Sequence, residues 1–430
     1  MVKKVGVAIL GLGVVGSGTY KTLLSHHDYY MKTQGVDITV ETVLVRNKQK
    51  ALDLGIEEDK ISANIAEVVL NPAVDIVIET IGGCGAAKDY VLAALGEGKS
   101  VVTANKELIS KHWHELERVA KRNSCGLYFE ASCVGGVPII RTLLDGVQSN
   151  EVKSMMGIIN GTTNYILVKM TMEGKSYDDA LKDAQALGYA EADPTADVEG
   201  FDAVYKLSIL GSLALHQKID YEKIYREGIS KIETVDIQFG KDLGYVIKLL
   251  AIAKQTEEGV ELRVHPTFIP KNHPLAGVHD AFNAVYLTGD TVGDIMLSGR
   301  GAGSFPTASA VVSDVLYAAT HSEIKYATFE NNESGAKAVK YVPDFKSVYY
   351  LRCAVGDEVG VLGKMCTILG KHGVSIAEVG QNPHAIGNTE RVPLYIITHK
   401  TNEKQIQAAI KEMNDTDFAE IKMVIRIEEE

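Results

Sequence analysis

The chain has 430 residues, of which 46% are hydrophobic and 23% charged, a composition typical of globular domains and long enough for two or three of them. Its net charge of -12 argues against nucleic acid as a partner, because phosphate binding needs a basic surface. The sequence contains no run near the ~18 apolar residues of a membrane span. Its five cysteines form no CxxC pair, which excludes the usual zinc and disulfide patterns. We therefore expect a cytoplasmic protein whose partners are small molecules.

The first 135 residues alternate between apolar strands and helices, a pattern that predicts a parallel sheet. The opening strand, residues 5–10, is followed at once by a glycine-rich turn and by a helix predicted over residues 17–24. Such glycines permit a tight turn, and the free amides at the start of the helix can hold a pyrophosphate. The motif predicts dinucleotide binding by Gly11, Leu12, Gly13, Val14, Val15 and Gly16.

Arg46 follows the second predicted strand, residues 38–45, where an NAD-preferring site would usually carry Asp or Glu. An arginine at this point can bind the 2'-phosphate of NADP, and Lys48 adds positive potential. The sequence therefore favours NADP over NAD. The alternative is an arginine that is simply solvated at the end of a strand.

Lys106 follows the strand predicted at residues 100–103. Open α/β sheets bind ligands at the carboxyl ends of their strands, which makes Lys106 a candidate site residue. The alternative is a lysine that starts a surface helix, here predicted over residues 107–122. Other predicted elements of this region are strands at 75–80 and 128–131 and helices at 86–95 and 139–144.

An acidic loop leads into a helix that has no polar face, beginning near Gly200. A helix of this kind is expected to be buried, so Asp202 and Lys206, four residues apart on one face, are expected inside the protein. Buried charges persist only when they are paired or meet a ligand, which favours a catalytic role over an ordinary ion pair. The loop and the start of the helix carry five carboxylates: Glu191, Asp193, Asp197, Glu199 and Asp202.

The remaining sequence predicts a middle region, from residue 153 to residue 319, and a separate C-terminal module. A strand at residues 153–159 precedes the polar run Asn160-Gly-Thr-Thr-Asn164, and the chain from residue 265 is expected to be rich in loops until a helix at 308–319. Residues 348–430 follow a βαββαβ order, which describes a ferredoxin-like module. The expected domains are a nucleotide-binding domain (1–135 plus about 300–325), a substrate domain (136–299), a linker (326–347) and a regulatory module (348–430).

The chain resembles homoserine dehydrogenases of the bacterial type with a C-terminal ACT domain, over its whole length. The most specific motif is Gly188-Tyr-Ala-Glu191-Ala-Asp193-Pro with Asp202 and Lys206 at the family's spacing. Thr103-Ala-Asn-Lys106 and the polar run at residues 160–164 are also similar to the family. The resemblance implies an α/β fold: a Rossmann-type parallel sheet, an α+β substrate and dimerisation domain, and a ferredoxin-like ACT domain.

This resemblance implies the NAD(P)-dependent interconversion of L-homoserine and L-aspartate 4-semialdehyde, in threonine, methionine and isoleucine biosynthesis. Lys206 would exchange the substrate proton, with Lys106 and Asp202 beside it in the catalytic group. The substrate would contact Glu191, Asp202, Asp197 and Lys106. Cofactor contacts would add Arg46, Lys106, Gly188 and Gly303 to the glycine-rich turn.

The resemblance also implies a monovalent cation, such as sodium, held by the main-chain oxygens of Glu130, Cys133, Gly135 and Val137. Its ACT domain implies an amino-acid effector, with threonine as the first to test, and a homo-oligomer. The regulatory module is expected to be dispensable for chemistry. The alternatives are an enzyme acting on another amino-acid semialdehyde and a non-catalytic amino-acid sensor.

Overall fold

The computed structural model describes residues 2–321, 323–330, 338–381 and 391–429, so residues 331–337 of the expected linker lie outside it. The chain forms two compact units. The first unit comprises Met1–Gly161, Asp202–Ile224 and Ala281–Val339. The second unit comprises Thr162–Phe201, Tyr225–Asp280 and Lys340–Glu430.

The strands of the described chain are, in order, β1 (Lys3–Leu10), β2 (Val36–Leu44), β3 (Ile61–Ser62), β4 (Ile76–Glu79), β5 (Ser100–Thr103), β6 (Leu127–Tyr128), β7 (Val152–Ile158), β8 (Tyr225–Arg226), β9 (Tyr245–Thr256), β10 (Gly259–Pro270), β11 (Phe282–Gly289), β12 (Gly293–Arg300), β13 (Lys346–Gly356), β14 (Ile376–Gln381), β15 (Arg391–Thr398), β16 (Thr401–Asn402) and β17 (Ala419–Ile427).

The α-helices are α1 (Val14–Ser25), α2 (His27–Gln34), α3 (Lys48–Asp53), α4 (Ile65–Val69), α5 (Gly85–Gly96), α6 (Lys106–Arg122), α7 (Ile139–Arg141), α8 (Gly161–Glu173), α9 (Tyr177–Ala186), α10 (Thr195–Val198), α11 (Phe201–Ala214), α12 (Thr234–Asp242), α13 (Ser304–Thr320), α14 (Val361–Lys371) and α15 (Glu403–Asn414). Short 3-10 turns occur at Glu58–Lys60, Glu130–Ser132, Tyr221–Lys223 and Pro274–Gly277, and a π turn at Thr142–Gly146. Within the described residues, every helix is too short or too polar to cross a bilayer.

The first unit contains a six-stranded sheet in the order β3-β2-β1-β4-β5-β6, in which every pair is parallel. This order is the one that defines a Rossmann fold, with its ligand crevice at the switch between β1 and β4. The α13 helix packs against α1, since Val311 and Val315 lie in the same core as Tyr20 and Leu23. The Rossmann-type prediction is therefore confirmed.

The first unit also contains three antiparallel strands in the order β12-β11-β7. The expectation of a loop-rich chain after residue 265 is wrong, because β10, β11 and β12 cover most of residues 259–300. Prolines obscured the signal in β10, where Pro266 lies within the ladder opposite Leu249.

The second unit is built on strands in the order β9-β10-β17-β13-β15-β14. The last four have the 4-1-3-2 order of a ferredoxin-like sheet, and α14 and α15 supply its helices. The sheet continues past this module, because β17 pairs in parallel with β10 at Thr267 opposite Arg426 and Phe268 opposite Ile427. The C-terminal module therefore shares hydrogen bonds with residues 259–270.

A lysine lies fully buried within the second unit. Lys248 donates from Nζ to Asn164 Oδ1 at 3.0 Å and to the Val278 carbonyl at 2.6 Å. Burial lowers the pKa of Lys248 to about 8. Asn164 in turn donates to the carbonyls of Val278 and Asp280, at 3.2 and 2.9 Å. The lysine thus fixes the orientation of the Asn164 amide in the first turns of α8.

The predicted strand at residues 128–131 is wrong at its end. β6 stops at Tyr128, and Glu130 begins a 3-10 turn. The Glu130 amide donates to Asp314 Oδ2 at 2.8 Å, and the Glu130 carboxylate accepts the amides of Ile140 and Arg141 at 2.8 and 2.7 Å. These partners redirect the backbone, and none of them can be recognised from the local sequence.

Candidate active site

Two helices of the first unit bring the predicted catalytic residues together. Asp202 and Lys206 lie one turn apart near the start of α11, and both are buried, with 5% and 9% of their surface exposed. Lys106 is the first residue of α6, directly after β5, and its side chain is 42% exposed. The Asn105 side chain caps α6 by accepting the Leu108 amide at 3.1 Å, which fixes where this helix begins.

The Asp202 carboxylate lies between the two lysines. Lys206 Nζ donates to Asp202 Oδ2 at 2.7 Å and to the Ile159 carbonyl at 2.8 Å. Lys106 Nζ pairs with Asp202 Oδ1, and Asn160 Nδ2 donates to Oδ2 at 2.9 Å. Burial would raise the pKa of Asp202, but the charges of Lys206 and Lys106 outweigh it and hold that pKa well below its usual range.

This arrangement carries one positive charge in excess, since two ammonium groups share one ionised carboxylate. An ammonium has three N–H groups, and two of those on Lys206 donate to Asp202 and Ile159. The third is then available for a ligand oxygen. A cation in this position can transfer a proton to an oxygen and can stabilise negative charge that develops there.

A cavity of about 330 Å³ opens at the carboxyl ends of β1, β2 and β4. Its lining includes two cations and no carboxylate: Gly11, Leu12, Gly13, Leu44, Val45, Arg46, Asn47, Lys50, Ala63, Thr80, Ile81, Ala86 and Tyr90. Lys48, expected to add positive potential, instead pairs with Glu58 at 2.5 Å, and Lys50 lines the cavity. The lining therefore fits an anionic nucleotide.

The glycines of the turn have different steric roles. A Cβ on Gly16 would lie 2.0 Å from the Gly11 carbonyl oxygen, so this residue must remain glycine for α1 to pack on the turn. A Cβ on Gly13 would meet nothing within 4 Å, and Gly11 has a φ of 90°, in the left-handed region. The open space at Gly13 is where a ligand phosphate could approach the backbone.

Gly303 precedes α13 in the same unit, with a φ of 117°. Ser304 Oγ donates to the Val14 carbonyl at 2.9 Å, and a Cβ on Gly18 would lie 2.5 Å from that hydroxyl. The start of α13 therefore contacts the first turns of α1. This contact places Gly303 beside the glycine-rich turn.

Glu191, Asp197 and Gly188 belong to the second unit. Gly188 has a φ of 76° and ends α9, while Glu191 is exposed in the loop that follows. Asp197 is half-buried in α10. The loop is held in part by Gln185, which donates to the Glu191 carbonyl at 3.0 Å, so the Glu191 carboxylate faces solvent while its backbone is fixed.

Sequence reasoning missed Glu79, a fully buried carboxylate at the end of β4. Its Oε1 accepts the amides of Ile81 and Gly82 at 2.7 and 3.0 Å, and its Oε2 accepts the Thr103 hydroxyl at 2.5 Å. It thereby shapes the loop beside the nucleotide cavity and joins it to the strand before Lys106. An acidic residue inside an apolar strand was the available signal.

The four residues expected to hold a cation are all buried in the first unit. Val134, which lies among them, has a φ of 56°, and Gly135 has a φ of 55°. Left-handed backbone is a true outlier for a β-branched residue, and such strain is concentrated at functional sites. Carbonyl oxygens are suitable ligands for a hard cation, so the segment fits this role.

A metal ion held by side chains has less support than a cation held by main-chain oxygens. No group of three or more His, Cys, Asp and Glu side chains that could hold a metal ion occurs among the residues that the structure describes. All five cysteines are free thiols. Burial, followed by the nearby Asp314 charge, raises the pKa of Glu130 to about 7. Its carboxylate binds main-chain amides, which leaves the main-chain oxygens as the ligands to consider.

Family models match three consecutive parts of the chain. Residues 11–130 match the NAD binding domain of homoserine dehydrogenase, residues 138–316 match homoserine dehydrogenase, and residues 349–418 match the ACT domain. The homoserine dehydrogenase of Bacillus subtilis is 41% identical over 99% of both chains. That of Pseudomonas aeruginosa is 41% identical over 95% of both chains.

Solved structures give the same result. A homoserine dehydrogenase from Thiobacillus denitrificans matches with a TM-score of 0.91 and 40% identity, over 99% of both chains. A hyperthermophilic archaeal homoserine dehydrogenase in complex with NADPH matches 73% of this chain and 97% of its own, with a TM-score of 0.63 and 28% identity. The resemblance read from the sequence motifs and the predicted fold class are confirmed, and the chain belongs to the homoserine dehydrogenase family.

Proposed function

We propose that this protein interconverts L-homoserine and L-aspartate 4-semialdehyde with a nicotinamide cofactor. The observation that carries the proposal is the buried Asp202 carboxylate held between Lys206 and Lys106 in a chain of this family. The rival functions, a different semialdehyde substrate or a non-catalytic sensor, are not favoured by any relative named above. The reaction would belong to the biosynthesis of threonine, methionine and isoleucine.

Lys206 is proposed as the proton carrier. When the aldehyde is reduced, its ammonium donates a proton to the carbonyl oxygen, and when homoserine is oxidised the neutral amine accepts the hydroxyl proton. The bound nicotinamide supplies or accepts the hydride. Asp202 and the Ile159 carbonyl fix the Lys206 nitrogen, at 2.7 and 2.8 Å, so its remaining hydrogen has a defined direction.

Lys106 is proposed to stabilise negative charge on the reacting oxygen. Its pairing with Asp202 places a second cation beside Lys206, and its greater exposure suits a residue that also contacts the cofactor. Asp202 acts chiefly by positioning the two lysines, because its Oδ2 accepts from Lys206 and its Oδ1 forms an ion pair with Lys106. Asp202 is also proposed to contact the substrate, together with Glu191, Asp197 and Lys106.

Glu191 and Asp197 are proposed to bind the substrate ammonium group. They are two of the carboxylates of the acidic loop, Glu191 exposed and Asp197 half-buried. Neither belongs to the lysine cluster, which consists of Lys106, Asp202 and Lys206. A carboxylate gives a cationic amine a charge-assisted partner. Homoserine and the semialdehyde both carry such an amine.

The proposed cofactor is NADP in preference to NAD. Arg46 and Lys50 line the cavity at the end of β2, where a ribose 2'-phosphate would lie, and no carboxylate lines it. The proposed contacts are those of the glycine-rich turn with Arg46, Lys106, Gly188 and Gly303. Sodium held by the main-chain oxygens of residues 130, 133, 135 and 137 would have a structural role.

The C-terminal module is proposed to bind an amino-acid effector, with threonine as the first to test. Its match to the ACT domain supports an effector site, and its ferredoxin-like sheet supports a homo-oligomer formed through such modules. The five free thiols fit a cytoplasmic location. The proposed domains are those expected from the sequence: a nucleotide-binding domain, a substrate domain, a linker and the C-terminal module.

The test is the initial rate of nicotinamide reduction with homoserine, measured with NADP and with NAD. A substrate panel of homoserine, serine, threonine and other amino alcohols gives the specificity. We expect rapid reduction of the nicotinamide with homoserine and with no other member of the panel. We also expect a higher kcat/KM with NADP than with NAD. Absence of turnover with homoserine, or a better substrate in the panel, would overturn the proposed function.

A further inference from the structure

The acidic loop is anchored at its end by one short segment of the second unit, residues 225–230. The Ile229 amide donates to the Val198 carbonyl at 2.8 Å, and Ser230 Oγ donates to Glu199 Oε1 at 2.6 Å. Arg226 donates to the Glu199 carbonyl. The position of this segment therefore determines the position of the end of the loop.

The packing between segment and loop leaves no spare room. A Cβ on Gly228 would lie 2.6 Å from both Glu199 Oε2 and the Val198 carbonyl oxygen. The Arg226 guanidinium also lies 3.7 Å from the centre of the Phe201 ring, the residue before Asp202. A shift of the segment would thus move the loop rather than be absorbed by a gap.

The same segment is bound on its other side to the C-terminal module. Arg426 of β17, which is fully buried, donates to Glu227 Oε2 at 2.5 Å and to the Tyr225 hydroxyl at 2.8 Å. It also donates to Glu403 Oε1 at 2.5 Å, in the first turn of α15. Tyr349 of β13 donates to the second oxygen of Glu403 at 2.8 Å.

We propose that Arg426 is a positioning residue for the acidic loop. Through this arginine, the C-terminal module sets the affinity of the enzyme for homoserine. The inference rests on the proposed function, because it takes the acidic loop as the site of the substrate ammonium. The contacts form one series: Glu403, Arg426, Glu227 with Tyr225, and then Val198 with Glu199. None of these residues belongs to the lysine cluster, so their effect falls on substrate binding and leaves proton transfer unchanged.

The variant chosen for the test is Glu227→Ala. Arg426→Met would strand the buried Glu403 carboxylate and risk misfolding. The Glu227 side chain is 34% exposed, and its removal leaves Arg426 paired with Glu403. The segment then loses one of its bonds to the module and keeps its bonds to the loop.

Glu233→Ala is the matched control. Glu233 also pairs with a module arginine, Arg352, at 2.8 Å, and it caps α12. It has no bond to residues 198 and 199 in the described structure. The control therefore loses an equivalent ion pair, and a cap in addition, without touching the anchor of the loop.

The measurements are KM for homoserine, kcat, the Kd for NADP and the melting temperature of the full-length protein. Glu227→Ala is expected to raise KM about fivefold, the size of one weak ion pair, with kcat and the Kd for NADP within twofold of the parent. Glu233→Ala is expected to leave all three unchanged. A parent enzyme that does not oxidise homoserine would overturn the proposed function itself.

With an active parent, two results would overturn the inference alone. One is an unchanged KM in Glu227→Ala. The other is an equal rise of KM in both variants, which would mean that any loss of module contact has the same effect. The first of these results includes a fall in kcat at constant KM, which would contradict a positioning role.

Discussion

Replacing Lys206 with methionine tests the assignment of the proton carrier. Methionine keeps most of the length and apolar volume of the side chain and removes the ammonium group. If Lys206 carries the proton, kcat should fall roughly 10²- to 10⁴-fold, the range for lost acid-base catalysis. The Kd for NADP should stay near that of the parent, because Lys206 lies outside the lining of the nucleotide cavity.

The structure also sets the expected cost in stability. Removing one partner of a buried ion pair costs about 3 to 5 kcal/mol when the other charge is left alone. Asp202 would not be left alone, since Lys106 and Asn160 remain on its two oxygens. The free energy of unfolding should therefore fall by only about 1.5 to 3 kcal/mol, the value of one hydrogen bond to a charged group.

The control is Lys111→Met, on α6 of the same unit. Lys111 pairs with Glu107 at 2.6 Å and lies 5.2 Å from the centre of the Tyr205 ring, without a bond to Asp202. This variant should keep its kcat. Initial rates, NADP titration and circular dichroism for both variants form the assay. A folded Lys206→Met enzyme that keeps most of its kcat would refute the assignment and leave Lys106 as the next candidate.

Four further predictions address cofactor, substrate and stability. Arg46→Asp should raise the Kd for NADP more than that for NAD, and equal losses in a cofactor titration would show that Arg46 does not contact the 2'-phosphate. Gly13→Val should abolish cofactor binding in a folded protein, whereas Gly16→Val should unfold it, because only the second Cβ meets backbone, at 2.0 Å; circular dichroism distinguishes the two. Glu191→Ala should raise KM for homoserine about tenfold or more with little change in kcat, as expected for a lost charge-assisted bond to the substrate; steady-state kinetics that show a lower kcat at constant KM would contradict it. Because burial lowers the pKa of Lys248 to about 8, the unfolded chain binds more protons above that pH, so stability should rise from pH 8 towards 10.5 by up to about 3 kcal/mol. Denaturant titrations of Lys248→Met should show a flatter profile over that range.

The sequence predicted most of what local patterns determine. The strand, glycine turn and helix at residues 5–24 identified the Rossmann sheet, and the absence of a polar face after Gly200 predicted that Asp202 and Lys206 are buried. Helix periodicity also put these two on one face, and they are bonded at 2.7 Å. The module of residues 348–430 was recognised because its strands and helices are short and regularly spaced.

The family resemblance placed Lys106 and Asp202 in one catalytic group, but local sequence patterns did not identify the long-range bonds. The pairing of Lys106 with Asp202 joins residues 96 positions apart, and no spacing rule predicts it. The end of β6 depends on Asp314, which is 184 residues from Glu130. Pairing of β17 with β10 likewise connects distant parts of the chain. In each case the decisive contact is set by tertiary structure, while the local pattern allowed several outcomes.

The five carboxylates of residues 191–202 divide into groups with different tasks. Asp202 balances two lysines inside the first unit, and Glu199 accepts from Ser230 at the anchor of the loop. Asp193 caps its own turn by accepting the Thr195 amide at 3.1 Å. Glu191 and Asp197 are the two carboxylates that we propose bind the cationic substrate. An enzyme that binds an amino acid beside an anionic cofactor needs this separation, because a carboxylate near the phosphates would repel them, whereas one placed at the substrate amine attracts its ligand.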